Sequence, residues 1–275
     1  MHPIERLRYV ARAGAAAGGE AVLADEAADA LAALGDDHAG LVTACRRILD
    51  RHPASGVLWW LASRVLTSSE PVREARRVAR DLEGDPTAAH VAAELPDEVT
   101  VCVIGWPEQV GEALGRRPDL RVFAVDVHDE LAWRSARGFE HDEAPRIVAG
   151  AGLGWAASTA DLLLLEASAL GTHGLAGTAG SRAAAAVARH SGRTVWAVAG
   201  VGRVLAPRLW DALAARLDTL PEPWDSVHEV VPLDLVDVVV GSTGRLTPAE
   251  AVAGADCPVA PELLRAVPRL GADDG

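Results

Sequence analysis

Apolar positions recur with two different periods along the chain, and the period changes near residue 95. From Ile4 to about Glu94 the apolar residues fall at helical spacing, as in Leu41, Cys45, Ile48 and Leu49. Breaks at Gly18-Gly19, Gly35-Asp36-Asp37, His52-Pro53, residues 68–71 and Gly84-Asp85-Pro86 divide this stretch into helices of about 12–15 residues. From Glu98 onward, short β-rich runs at 99–104, 121–126, 146–149, 161–165, 194–198 and 236–240 alternate with helical stretches at 108–114, 130–137, 181–190 and 208–216. The runs are nearly continuous in apolar residues, which predicts a parallel sheet covered on both faces. The expected organisation is a helical domain over 1–95 and an α/β domain over 96–275. Ligands of such sheets sit past the carboxyl ends of the strands, so the residues just after each run are the ones to weigh.

Composition narrows the chemistry. The 275 residues carry a formal net charge of −13, and all 26 basic residues are arginine; lysine and asparagine do not occur. Schiff-base lysines, a P-loop lysine and asparagine oxyanion donors are therefore excluded. The acidic balance, without a basic run, argues against nucleic acid as a direct partner. Cys45, Cys102 and Cys257 are widely spaced with no C-x-x-C pair, which predicts reduced thiols, no metal site and a cytoplasmic location. Arg6, Arg8, Arg12 and Glu20 interrupt any secretory pattern, and apolar runs such as 183–188 are too short for a bilayer, so no membrane is expected. No cofactor is implied.

Several segments after the strands invite a functional reading. Gly152-Leu153-Gly154-Trp155-Ala156-Ala157 matches G-x-G-x-x-A, but only a turn or two of helix fits before the next strand, which favours a small-residue turn over a dinucleotide fingerprint. The glycine-rich stretch from Gly171, Thr172, His173 and Gly174 to Thr178, Gly180, Ser181 and Arg182 precedes an alanine-rich helix. A helix N-terminus there offers free N–H groups to a phosphate, Thr178 and Ser181 offer hydroxyls, and Arg182 offers charge; an ordinary glycine loop with a serine cap is the alternative. Gly105, Trp106, Pro107 and Glu108 follow the first strand, where Pro107 and Glu108 suit a first helical turn. Trp106, Trp133 and Trp155 lie near strand ends and suit either a pocket rim or the core. Asp126, His128, Asp129 and Glu130 read as a helix start, whereas Glu166, preceded by four leucines on a buried strand, reads as an acid–base candidate. Cys102, inside a strand, reads as a buried apolar thiol.

Taken in order, these segments resemble the alpha/beta/delta regulatory subunits of eukaryotic translation initiation factor 2B and their enzyme relatives, methylthioribose-1-phosphate isomerase and ribose-1,5-bisphosphate isomerase. The resemblance runs from His52-Pro53 through Leu58-Trp59-Trp60-Leu61-Ala62-Ser63-Arg64 to Ala93-Glu94-Leu95-Pro96-Asp97, and continues in the strand at 99–104 and in Val110-Gly111-Glu112-Ala113-Leu114. The strand at 161–165, the glycine stretch to Gly180-Ser181 and residues 195–199 stand where the family has its central motifs. His228-Glu229-Val230-Val231-Pro232-Leu233-Asp234-Leu235-Val236-Asp237, Gly244 and Thr247-Pro248 resemble its C-terminal signature. Coverage is about residues 40–250.

The resemblance implies a helical N-terminal domain followed by a Rossmann-like parallel-sheet domain (NagB/RpiA/CoA-transferase-like), dimerising through the latter. In the isomerases a cysteine after the first strand and an aspartate after the central strand open and isomerise a phosphosugar. By motif position the cysteine falls on Gly105, and the aspartate on Glu166 or Ser168. The family's Asn-Lys pair becomes Gly177-Thr178, and its Glu-Thr-Arg run becomes Asp126-Val127-His128. Glycine supplies neither nucleophile nor acid, and losing two phosphate-binding cations removes charged hydrogen bonds of roughly 1.5–3 kcal/mol each. The expectation is a noncatalytic or altered member that binds a phosphorylated sugar or nucleotide through Gly105, Trp106, Asp126, His128, Thr172, His173, Gly174, Thr178, Gly180, Ser181 and Arg182, with Glu166 toward a ribose hydroxyl. The alternatives are an aldose-phosphate isomerase with Glu166 as acid–base and a scaffold subunit of a translation-associated complex.

Overall fold

The computed structural model describes residues 19–128, 145–218 and 222–264. The expected helix at 130–137, together with Asp129, Glu130 and Trp133, lies outside them.

Four helices lead the described chain: α1 Gly19–Ala32, α2 His38–Arg51, α3 Gly56–Thr67 and α4 Pro71–Glu83. The breaks foreseen at Gly35-Asp36-Asp37, His52-Pro53 and residues 68–71 separate these four, and Gly84-Asp85-Pro86 ends the last of them; Gly18 of the Gly18-Gly19 break lies outside the described residues. Asp37 caps α2 by accepting the Gly40 N–H, and Ser55 caps α3 by accepting that of Leu58. The stripe Leu41, Cys45, Ile48 and Leu49 is the buried face of α2. Helix α3 is apolar nearly all round and almost wholly buried, as a helix enclosed by neighbours should be. A fifth helix, α5 Thr87–Glu94, leads into the sheet.

The sheet strands are β1 Thr100–Ile104, β2 Arg121–Asp126, β3 Arg146–Ala149, β4 Leu162–Glu166, β7 Thr194–Ala199, β9 Val238–Gly241 and β10 Gly244–Leu246. Their spatial order is β10-β9-β7-β4-β1-β2-β3, parallel throughout except for the β9–β10 hairpin. Alternate side chains serve opposite faces. Val101, Val103, Leu162, Leu164, Trp196 and Val198 pack on α5 and α6 Glu108–Gly115. Cys102, Ile104, Leu163, Leu165, Val195 and Ala197 pack on α7 Leu153–Thr159 and α8 Ser181–His190. Double coverage explains why these strands read as unbroken apolar runs.

The alternating pattern left out a second sheet. Between β4 and α8 the chain forms β5 Ala169–Leu170 and β6 Gly174–Thr178, and β8 His228–Pro232 joins them in a separate antiparallel sheet ordered β5-β6-β8. The middle of the glycine stretch, Gly174–Thr178, is therefore a strand rather than a loop. Gly174 pairs with Pro232 of β8, and a Cβ there would overlap the Val231 carbonyl oxygen. Helix α9 Pro207–Asp218 and the segment to Leu264 pack beneath this sheet, and α10 Pro248–Ala253 starts with a Thr247–Glu250 capping box.

One core cluster joins the leading helices to the later part of the chain. It includes Trp59, Trp60 and Leu61 from α3, Ala169 and Ala176 from the small sheet, Trp210 and Leu213 from α9, and Cys257 and Leu263. The Trp59 indole is fully buried and donates to the Pro53 carbonyl at 3.0 Å; that of Trp60 donates to Asp256 at 2.8 Å. Because the core is shared, urea unfolding should follow one cooperative transition. Trp59→Ala should lower its free energy by about 3–5 kcal/mol, the range for a buried aromatic removed from a packed core.

Candidate functional site

Strands β1, β2 and β3 run to one side of the sheet, while β4, β7 and β9 run to the other. The direction of winding reverses between β1 and β4, and the crevice at their carboxyl ends is the expected ligand position in an open α/β sheet.

Here that crevice is filled by the chain's own charged groups. Arg203, in the loop after β7, is only 5% exposed; it donates to Glu166 at 2.9 Å, to the Ala167 carbonyl at 2.8 Å and to Glu20 at 3.2 Å. The second oxygen of Glu166 accepts the Val110 N–H of α6 at 3.0 Å. Glu20 belongs to the first turn of α1 and is further held by a Ser55 hydrogen bond. Glu108, at the start of α6, accepts the backbone N–H of Glu20. Burial pushes the carboxyls of Glu20 and Glu108 above their ordinary range against the opposing pull of Arg203, and Glu166 raises both further. Nearby, Asp85 accepts from the N–H and hydroxyl of Thr87, from Gln109 and from the Val201 N–H, tying α5, α6 and the β7 loop together.

One strand over, the same rim carries an open cavity of about 400 Å³. Val127 and His128 line it from the end of β2, Ala179 and Gly180 from the start of α8, and Trp224, Asp225 and Ser226 from the segment before β8. Gly180 is the helix N-cap with φ +95°, a left-handed conformation that makes glycine the fitting residue there. The Trp224 indole is 77% exposed. Ser226 Oγ donates to the His228 carbonyl and accepts the His228 N–H. Burial pushes the His228 imidazole below its ordinary value, with His128 adding to the effect, and its Nδ1 has no partner among the described residues.

The structure separates the residues singled out in the sequence. His128 and Gly180 line the cavity, and Asp126, buried at the end of β2, lies beside it. Gly105 turns with φ +67° at the neighbouring strand end, and space lies open where a Cβ would point. Ser181 is buried in the first turn of α8 rather than capping it. The Arg182 N–H, offered to a phosphate in the sequence reading, is taken by the Glu229 carboxylate at 2.8 Å. Thr178 pairs across the small sheet with His228, whereas Thr172, His173 and Gly174 stand at the other end of β6, roughly 14 Å away at about 3.4 Å per strand residue. Trp106 packs over Gly111, and Trp155 lies against Phe123 with centroids 5.5 Å apart. Neither lines the cavity; Trp224 does.

Arg203, Glu20, Trp224 and Glu229 escaped the sequence reading. The one available signal was Arg203 itself, a lone charge in the otherwise apolar run from Val201 to Ala206. Burial pushes the Cys45 and Cys102 thiols up to about 12 and that of Cys257 to about 11, so the three are inert apolar fillers. Among the described residues no group of acidic, histidine and cysteine side chains is placed to hold a metal, and no helix is long and apolar enough to cross a membrane.

No protein-family model matches the chain, and no curated protein matches its sequence. Solved structures do match its fold. The translation initiation factor eIF-2B of Pyrococcus horikoshii OT3 is similar at a TM-score of 0.72 and 16% identity, over 91% of this chain and 98% of that one. A chain of the tetrameric eIF2B-beta2-delta2 complex of C. thermophilum is similar at 0.74 and 16%, over 91% and 92%. The 5-methylthioribose 1-phosphate isomerase of Pyrococcus horikoshii OT3 is similar at 0.59 and 16%, over 90% and 84%. The chain shares the fold of these proteins: leading helices followed by a mostly parallel sheet covered on both faces.

The geometry makes Arg203 the central charge of the crevice. Arg203→Met should strand Glu20 and Glu166 and cost about 3–5 kcal/mol of unfolding free energy in urea, because removing one member of a buried ion pair leaves the other uncompensated.

Proposed function

We propose that this chain is a member of the initiation factor 2B alpha/beta/delta-like family that has lost the isomerase chemistry of its enzyme relatives and binds a small phosphorylated ligand, a nucleotide or sugar phosphate, at the carboxyl ends of its parallel strands. The observation that carries this reading is the cavity beside Gly180, open at the rim where ligands of such sheets sit and walled by an exposed indole. Trp224 offers a face for stacking a base or packing a sugar, Asp225 accepts hydrogen bonds from hydroxyl or amino groups, and the side chain of Arg182, exposed at the start of α8, supplies charge for a phosphate. The indole favours the nucleotide over the bare sugar phosphate.

Two features support loss of catalysis. Glycine stands at position 105, where the isomerases carry their cysteine. Both oxygens of Glu166 are engaged, one by Arg203 and the other by the Val110 N–H, so that carboxylate is held as a structural anion rather than presented to a substrate. In the proposed setting the protein works in the cytoplasm as a homodimer joined through its α/β half. The likeness to a chain of the tetrameric eIF2B-beta2-delta2 complex supports assembly and keeps a scaffold role as the competing reading.

Thermal-shift titration with adenosine monophosphate and ribose 5-phosphate should raise the melting temperature, since a ligand at a hundred times its Kd stabilises by about 2.7 kcal/mol. Trp224→Ala should weaken the nucleotide roughly 5- to 150-fold, the equivalent of ~1–3 kcal/mol for a base stacked on an aromatic ring, and Arg182→Ala should weaken both ligands. No shift with either ligand, together with capture of a stable heteromeric partner, would favour the scaffold. Turnover of a pentose phosphate that falls in Glu166→Gln would restore the isomerase.

A further inference from the structure

The start of α8 already holds an anion supplied by β8. Glu229, the second residue of that strand, pairs across the small sheet with Gly177, and its carboxylate accepts the Arg182 N–H at 2.8 Å. That N–H is one of the free donors of the first helical turn, a group that a phosphate would otherwise take. Arg182 stands two residues beyond Gly180, which lines the cavity, so the occupied donor lies about 3 Å along the helix axis from the cavity wall. The segment before β8 adds further acids. Asp225 lines the cavity, and the exposed Glu222 shares its turn, with the Glu222 carbonyl accepting the Asp225 N–H at 3.1 Å. Among the described residues that line the cavity or form the first turn of α8, Arg182 is the only arginine. Glu222, Asp225 and Glu229 set against Arg182 leave the place acidic.

We infer that Glu229 sets the charge of the ligand this cavity accepts: with one carboxylate already at the start of α8, the site takes a nucleoside monophosphate and discriminates against nucleoside di- and triphosphates. Glu229 acts on the ligand site proposed beside Gly180, so this reading rests on that one and adds the class of nucleotide. A single phosphoryl group can be met by the guanidinium of Arg182, whose fork suits phosphate oxygens. Each further phosphoryl group adds negative charge, finds no second arginine and comes near Glu229, Asp225 or Glu222. Like charges about 4 Å apart in water repel enough to change an equilibrium about fivefold, and by more where protein walls lower the local dielectric. Sites that cradle longer phosphate chains do the reverse. They present free backbone N–H groups and a lysine at a helix start, whereas here the Arg182 N–H is taken and the chain contains no lysine.

Calorimetric titration of the whole protein with adenosine mono-, di- and triphosphate tests it. Magnesium is left out so that the added phosphates keep their charge, and about pH 8 keeps histidine charge out of the comparison. At about 50 mM salt the diphosphate should bind about fivefold more weakly than the monophosphate and the triphosphate more weakly again, with the spread shrinking at about 0.5 M salt as screening shortens the reach of charge. Glu229→Gln removes the charge but keeps an oxygen for the Arg182 N–H, and should strengthen the di- and triphosphate about fivefold relative to the monophosphate. Asp225→Asn, at an exposed position of the cavity wall, should act in the same direction and serves if the first variant does not fold by circular dichroism. Glu83→Gln, at the exposed end of α4, removes the same charge elsewhere and should leave the ratios unchanged. Di- or triphosphate binding as tight as that of the monophosphate, ratios unmoved by Glu229→Gln and Asp225→Asn, or an equal shift with Glu83→Gln would overturn the role of Glu229 while leaving the cavity a nucleotide site. No binding of any of the three would overturn the site, and the role of Glu229 with it.

Discussion

A guanidinium taken out of water must find anions or carbonyl groups in place, or the fold cannot hold it. Arg203 is the point where that requirement is met, and much of the architecture around it follows. Its partners come from β4, from the turn after β4 and from the first turn of α1, so one side chain fixes the end of the central strand, the departure toward β5 and the seat of the leading helices. Asp85 completes the same seam from the other side, collecting donors from α5, α6 and the loop after β7. Arginine suits this position better than lysine would. Its fork reaches several acceptors at once, and it stays charged when buried, whereas a buried lysine readily gives up its proton.

The same seam divides the strand-end rim into two chemically different places. Between β1 and β4 the chain has filled the expected ligand crevice with its own ion pairs. Beside β2 and α8 it leaves a cavity with an exposed indole, two histidines nearby and a glycine turn. A helix N-terminus normally attracts an anion, and at α8 the Glu229 carboxylate from β8 already stands against its first turn. The local dipole is thus partly satisfied from within. In the binding site we propose, charge for a phosphate comes from the exposed Arg182 side chain and a stacking face from the indole.

Much of the fold was legible because burial on two faces leaves a direct trace in sequence. The strands near 99–104, 121–126 and 146–149 and the helix Ser181–His190 were readable within a residue at their ends, and the α2 stripe gave its buried face. The small antiparallel sheet was not readable. Its strands are short and glycine-rich, and β8 lies some fifty residues beyond β6, so no local period announces their pairing. For the same reason Thr172 and His173 looked adjacent to Thr178 and Gly180, when a strand holds them at opposite ends.

The sequence by itself determined which side-chain chemistries this protein lacks and where most strands of its large sheet run. A chain without lysine or asparagine, with glycine at 105 and three widely spaced cysteines, has that chemistry written in its residue list, and apolar periodicity is a property of each segment alone. Only the tertiary structure decided what holds Glu166, which indole lines the cavity and what stands at the start of α8. Those outcomes depend on contacts with Glu20, Arg203, Trp224 and Glu229, which lie far from their partners along the chain, and an ion pair is set by distance in space rather than by position in sequence.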